Sequence, residues 1–159
     1  MIKCKIIALG SLKEKYLREA SKEYEKRLSR FCNLEICEID PVKLSDKPSD
    51  LEIEGALKKE TEFIKKKIPQ NSKVFALCVE GKPFTSEMFA KEIKESISLG
   101  TNFCFIIGSS YGMSQEIKKM ADIRLSLSEM TFPHQLFRIM LLEQIYRAFK
   151  INEGSTYHK

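Results

Sequence analysis

The sequence predicts an α/β fold with a mainly parallel sheet covered by helices on both faces. Three observations carry this. Strand-like and helix-like patterns alternate along the whole chain, the order of βαβ units. Two strand segments, Val74–Val79 and Asn102–Ile107, are near-continuous apolar runs, as in strands buried on both faces. Finally, Leu125–Gln135 passes from an apolar/polar alternation through a small polar loop into a long helix behind Pro133. A strand that ends in hydroxyls and backbone amides directly before a helix is how α/β proteins build ligand crevices.

The elements follow in order. Lys3–Leu9 reads as a strand closed by Gly10-Ser11. Leu12–Phe31 has helical spacing, with Leu12, Tyr16, Ala20, Tyr24 and Leu28 on one face. Leu34–Ile39 is a second strand. Asp40–Ser49, carrying Pro41 and Pro48, is a loop. Asp50–Lys67 is a helix anchored by Leu57, Phe63, Ile64 and Ile68 and stopped by Pro69. Val74–Val79 is a strand turned by Glu80-Gly81-Lys82-Pro83. Ser86 caps a helix that runs to Leu99, and Gly100 ends it. After Asn102–Ile107 comes Gly108-Ser109-Ser110-Tyr111-Gly112. Ser114 then opens a short helix to Met120. Ile123–Leu127 is the last strand. Pro133 suits a helix's first turn, where its missing N–H would be unpaired anyway, and that helix runs to Ile151.

With 159 residues the chain suffices for one domain with its own core, 1–159, and it shows no repeat, low-complexity stretch or linker. Hydrophobic content of 43% and charged content of 31% are ordinary for a globular protein. No apolar run approaches the roughly 18 residues that span a bilayer. The N-terminus alternates charge with apolar residues and has no signal-peptide core, so a cytoplasmic protein is expected. The five cysteines are odd in number, lack C-x-x-C spacing and mostly sit in strands. Reduced, buried thiols are expected, with neither disulfides nor metal. The net charge of +5 permits an anionic partner without demanding one.

Ligands of parallel sheets bind beyond the carboxyl ends of the strands. Leu77–Gly81, Gly108–Gly112 and Leu127–Phe132 are the segments that would converge there. Glycines at 108 and 112 allow close backbone approach. Leu127–Phe132 offers amides, hydroxyls and the apolar Met130 and Phe132, a set suited to a flat adenine ring. The phosphate-binding glycine motifs G-x-G-x-x-G and G-x-x-x-x-G-K-[ST] are missing, as is the G-x-S-x-G elbow.

The two histidines occupy different settings. His134 stands at a helix start, where the dipole disfavours its cation, and suits loop-fixing hydrogen bonds. His158 lies in the terminal Tyr157-His158-Lys159, which combines an aromatic stacker, a titratable base and a cation. Arg138 and Arg147 are candidates for phosphate or ion-pair contacts. The apolar face of the last helix is wide enough for part of it to meet a second subunit.

These residues resemble a known family. Lys3–Lys15, Phe105-Ile106-Ile107-Gly108, Met130-Thr131-Phe132-Pro133-His134-Gln135, Glu143–Ile151 and Tyr157-His158-Lys159 are together similar to the SPOUT-class methyltransferases that modify a pseudouridine at N3 in large-subunit ribosomal RNA (the RlmH family). The resemblance covers the whole chain. It implies a C-terminal trefoil knot, a rare exception to the rule against threading. It also implies a homodimer, S-adenosylmethionine as methyl donor, and 23S ribosomal RNA on the assembled ribosome as partner. Carried over by position, the donor pocket would be Leu77, Gly108, Leu127, Ser128, Glu129, Met130, Thr131 and Phe132. Tyr157 and His158 would be catalytic, with His158 taking or orienting the N3 proton, and Lys159 and Arg138 would meet RNA. Two departures stand out: Ser109 replaces a glycine of the usual Gly-Gly-Ser, and Glu129 replaces a lysine. A non-catalytic RNA-binding protein with the same fold is the alternative reading.

Overall fold

Five strands of one parallel sheet and five helices alternate along residues 1–159 in the computed structural model: β1 (Lys3–Leu9), α1 (Lys15–Leu28), β2 (Asn33–Ile39), α2 (Asp50–Lys65), β3 (Ser72–Pro83), α3 (Ser86–Ser98), β4 (Asn102–Ile107), α4 (Gln115–Met120), β5 (Ile123–Ser126) and α5 (His134–Asn152). The strand order is β2-β1-β4-β3-β5. The two apolar runs are direct neighbours, with Phe75 opposite Phe105 and Leu77 opposite Ile107.

Successive strand residues point to opposite faces, and this sorts the core into two layers. Cys4, Ile6, Ala8, Phe75, Phe103, Phe105 and Leu125 pack beneath α1, α3 and α5. Ile7, Leu9, Val74, Ala76, Cys104 and Ile106 pack beneath Ile64 of α2 and Ile117 of α4. Phe75 and Phe105 stack at 4.7 Å, and Phe89 of α3 meets both edge-on at 6.1 Å. All five cysteines are free thiols.

Several expectations shift. The buried residues of α1 are Leu17, Ser21 and Leu28, while Tyr16 is exposed. Repeated i, i+4 steps drift by about 40° each around a helix, so the stripe drawn from Leu12 to Leu28 does not follow one face. In α2 the buried set is Ala56, Glu60, Thr61 and Ile64, and Phe63 is exposed. Thr85, not Ser86, caps α3, its side chain accepting from the Met88 amide at 3.1 Å. Pro133 takes the cap position of α5 rather than its first turn.

The expected turn at Glu80–Pro83 is instead part of β3. The strand pairs with β5 up to Leu77, bulges, and resumes pairing at Lys82. Glycine is required at position 81, where a Cβ would stand 2.8 Å from the Arg124 backbone. The bulge swings Cys78–Glu80 off the sheet at its carboxyl edge.

β5 lies at one edge of the sheet, and the chain then returns past the ends of β3 and β4 to the opposite half. There the Lys13 amide donates to Gln135 Oε1 at 2.9 Å. Arg138 donates to the Gly10 carbonyl at 2.9 Å and pairs with Glu38 at 2.6 Å. Only then does α5 run over α1 and α3.

Candidate active site

The three strand-end segments meet. Leu77–Glu80, Ile107–Met113 and Leu125–Phe137 surround a cavity of about 330 Å³, with Lys118 of α4 at its rim. That size suits a small ligand. Its walls include Leu77, Ile107, Leu125, Leu127, Phe132 and Phe137. Phe132 packs edge-on against Phe137 at 5.7 Å, which fixes the loop's end to α5.

The Gly108 wall is a tight turn. Ser109 and Gly112 exchange backbone hydrogen bonds of 3.1 and 2.8 Å. A Cβ at Gly108 would lie 2.4 Å from the Gly112 carbonyl oxygen, so no other residue fits that backbone. Gly112 has φ +82°, whereas Ser109 does not need a positive φ. The serine in place of the usual glycine is therefore unstrained, and its hydroxyl reaches Glu60 Oε1 at 3.3 Å.

The loop before α5 is held by its own serines. Ser126 Oγ donates to the Ser128 carbonyl at 3.0 Å, and the Met130 amide donates to Ser128 Oγ at 3.0 Å. This turn sends Glu129, Met130 and Thr131 outward. Of the eight expected pocket residues, Leu77, Gly108, Leu127 and Phe132 line the cavity and Ser128–Thr131 do not. Met130 is the clearest correction: it is 72% exposed and flanks nothing in the cavity.

Residues not singled out from sequence also line the cavity, among them Met113, Lys118 and Phe137. Their only sequence signal was proximity to the glycine loop or the Pro133 helix start. Glu80 pairs with Lys118 across the rim, and that pairing holds the carboxyl below its usual range. Burial pushes the Cys78 thiol up, helped by Glu80. His134 also lines the cavity. Burial, then Arg138 and Lys13, push its imidazole pKa down, the direction expected at a helix start. The bond tying this helix start to the N-terminal half is made by Gln135, not His134.

Of the two roles open to Arg138, phosphate or ion-pair contact, the structure shows the ion pair. Arg138 is 4% exposed, and its guanidinium is committed to Glu38 and Gly10. A side chain so enclosed holds the fold together and does not present itself to RNA phosphate. Arg147 is likewise paired, with Glu143 at 2.7 Å.

The C-terminal tail docks on α5 and the start of α3 rather than on the cavity. Tyr157 donates its hydroxyl to Glu143 Oε1 at 3.0 Å, packs edge-on against Tyr146 at 5.1 Å and lies under Arg147. Burial, then Glu143, pushes its phenol up to about 12. His158 Nδ1 stands 3.1 Å from Arg147 Nη1, and Nε2 stands 2.7 Å from Glu87 Oε1. A guanidinium only donates, so Nδ1 accepts and Nε2 carries the proton toward Glu87. Lys159 is exposed. A second hollow, of about 220 Å³, lies between tail and cavity; it is lined by Phe84, Phe89, Glu143 and Gln144 and shares Leu125 and Leu127 with the first.

No group of three or more His, Cys, Asp and Glu side chains is placed to hold a metal ion, and no helix is long and apolar enough to cross a membrane.

Comparison with known proteins adds to this geometry. A family model described as "Predicted SPOUT methyltransferase" matches residues 2–158. The chain is 50% identical over 155 residues to "Ribosomal RNA large subunit methyltransferase H 1" of Clostridium perfringens, covering 97% of this chain and 98% of that one. It is 46% identical over 159 residues to "Ribosomal RNA large subunit methyltransferase H" of Streptococcus equi subsp. zooepidemicus, covering 99% and 100%. It is 48% identical over 155 residues to the protein of that name in Clostridioides difficile, covering 97% and 98%.

Proposed function

The chain belongs to the SPOUT methyltransferase family, and from that premise we propose that it methylates N3 of a pseudouridine in 23S ribosomal RNA, on the assembled ribosome, with S-adenosylmethionine as donor. The relatives' printed names supply the substrate class. The observation that carries the reading is the cavity at the strand ends, where a turn that tolerates only glycine at 108 faces the apolar Leu77, Leu127 and Phe132. RNA binding alone needs no such enclosed pocket, which disfavours the non-catalytic alternative.

The residues present fit the donor. Apolar Leu77, Leu127 and Phe132 would flank a flat ring, and the backbone of Leu127 and Phe132, which lines the cavity, would supply hydrogen bonds at its edges. The donor brings an electrophilic methyl group on a sulfonium sulfur. The protein's share is alignment of donor and target and exclusion of water, which together lower much of the barrier. It must also manage the proton on N3 of the target base. His158 is assigned to take or orient that proton, Tyr157 to place the uracil ring, and Lys159 to meet phosphate.

The tail and the cavity are separate within one chain, so this assignment includes a homodimer in which one chain's tail serves its partner's cavity. Partly exposed Leu136, Ile139 and Met140 on α5 support such an interface. Action on ribosomes implies a cytoplasmic protein of one domain. The decisive test is incubation with labelled S-adenosylmethionine and ribosomes from cells lacking the activity. Label should appear at N3 of one pseudouridine; no transfer overturns the reading.

A further inference from the structure

Helix α2 turns two consecutive polar residues into the protein, Glu60 at 3% and Thr61 at 1% exposure, where helical spacing with Ala56 and Ile64 would place apolar ones. A buried carboxylate is costly unless every lone pair finds a partner, and neither side chain belongs to the cavity wall. Both reach toward the glycine turn. Glu60 Oε1 accepts from the Ser109 hydroxyl at 3.3 Å, just after Gly108, and shares that hydroxyl with the Gly112 carbonyl at 3.4 Å. Thr61 Oγ1 lies 2.5 Å from Ser114 Oγ, just beyond Gly112. Thr61 already donates to the Leu57 carbonyl, so Ser114 is the donor. The other Glu60 oxygen accepts from the Val42 amide at 2.9 Å, which brings the segment 40–49 into the same arrangement. Ser109 is itself a cavity residue and also lines the smaller hollow next to Glu60.

We propose that Glu60 is a positioning residue for the methyl donor: acting through Ser109, it holds the Gly108–Gly112 wall at the distance that donor binding requires. This deepens the reading given above and rests on it. Glu60 touches neither donor nor RNA, so its effect falls on donor binding and not on the chemical step. A glycine at 109 would lack the hydroxyl, so the link belongs to the serine this chain carries there.

Steady-state methylation of ribosomes tests this with the full chain. Ser109→Ala, at a partly exposed turn, keeps the fold. It should raise the KM for S-adenosylmethionine about three- to tenfold, the effect of one ordinary hydrogen bond, with kcat within about twofold. Glu60→Ala should give the same split, and the double variant should be no worse than the poorer single one. Glu60→Gln, whose carbonyl can still accept from Val42 while its amide meets Ser109, should recover much of the loss. An unchanged donor KM in Ser109→Ala, or additive effects in the double variant, overturns the proposal. Hydrogen exchange of the wild-type protein separates the two levels. If the amides of 108–112 and 127–132 gain no protection with S-adenosylmethionine, the pocket reading falls; if they do and Ser109→Ala is silent, only the Glu60 link falls.

Discussion

Arg147 holds His158 in one tautomer: its Nη1 stands 3.1 Å from Nδ1, on a ring whose Nε2 faces Glu87 at 2.7 Å. Both ring nitrogens are therefore engaged, and with Nε2 already protonated His158 can accept a proton only at Nδ1, after Arg147 lets go. In nitrogen-15 correlation spectra near neutral pH the ring should show the Nε2–H form. Arg147→Ala should turn it into a tautomer mixture. A wild-type Nδ1–H signal would contradict this geometry.

If His158 manages the N3 proton, its removal should affect turnover and leave donor binding alone. His158→Ala should lower kcat on ribosomes by about 10²- to 10⁴-fold, the usual scale of general acid–base help, while calorimetric affinity for S-adenosylmethionine stays the same. Near-normal turnover at saturating ribosomes sinks the assignment.

Gly108→Val should abolish measurable donor binding, because even a Cβ there meets the Gly112 carbonyl oxygen at 2.4 Å. Calorimetric titration with S-adenosylmethionine checks it, alongside circular dichroism to verify that the sheet persists. Unchanged affinity in a folded variant removes the turn from the pocket.

Arg138→Met should act on stability and not on RNA. It leaves the Gly10 carbonyl and Glu38 without their partner, at a cost of about 2–3 kcal/mol. Denaturant unfolding should show that loss. The salt dependence of ribosome binding should be unaltered, since a lost phosphate contact would reduce its slope. A reduced slope would return Arg138 to the RNA surface.

Mild acid should loosen the helix start beside the cavity. Burial, then Arg138 and Lys13, lower the folded pKa of His134. The unfolded chain therefore binds a proton first as pH falls below about 6.5. Stability contributed by neutral His134 is complete above that value and is lost as pH falls through the lower folded pKa. His134→Asn should flatten this part of the stability–pH curve, measured by thermal unfolding in steps from neutral to pH 5. An unchanged slope would assign the acid sensitivity elsewhere.

What the sequence made legible were features that depend on local periodicity. The apolar runs Val74–Val79 and Asn102–Ile107 announced buried strands, which the sheet sets side by side, and Ser114 announced a cap whose Oγ accepts from the Ile117 amide. That the three loops share the carboxyl end of the sheet followed from its parallel strands, and their convergence depends on the order β4-β3-β5 that the fold supplies. Three things escaped. The β3 bulge depends on how Gly81 meets Arg124 in a neighbouring strand. Glu60 carries no sequence sign of its burial, because its partners Val42 and Ser109 lie 18 and 49 residues away. Arg138 left ion pair and phosphate equally open because its partners, Gly10 and Glu38, are 128 and 100 residues distant. Long-range polar partners leave no trace in spacing.

The return of the chain from β5 to the opposite half of the sheet also fixes when the protein becomes competent. The cavity lacks a wall until residues 125–137 are in place, and α5 covers Leu28 and Phe89 on the face it shares with α1 and α3. A nascent chain without α5 therefore exposes apolar surface and has no pocket. The contact of Gly10 with Arg138 spans 128 residues, and long loops close slowly. The site therefore forms only after residues 125–137 have joined the strand ends laid down before them.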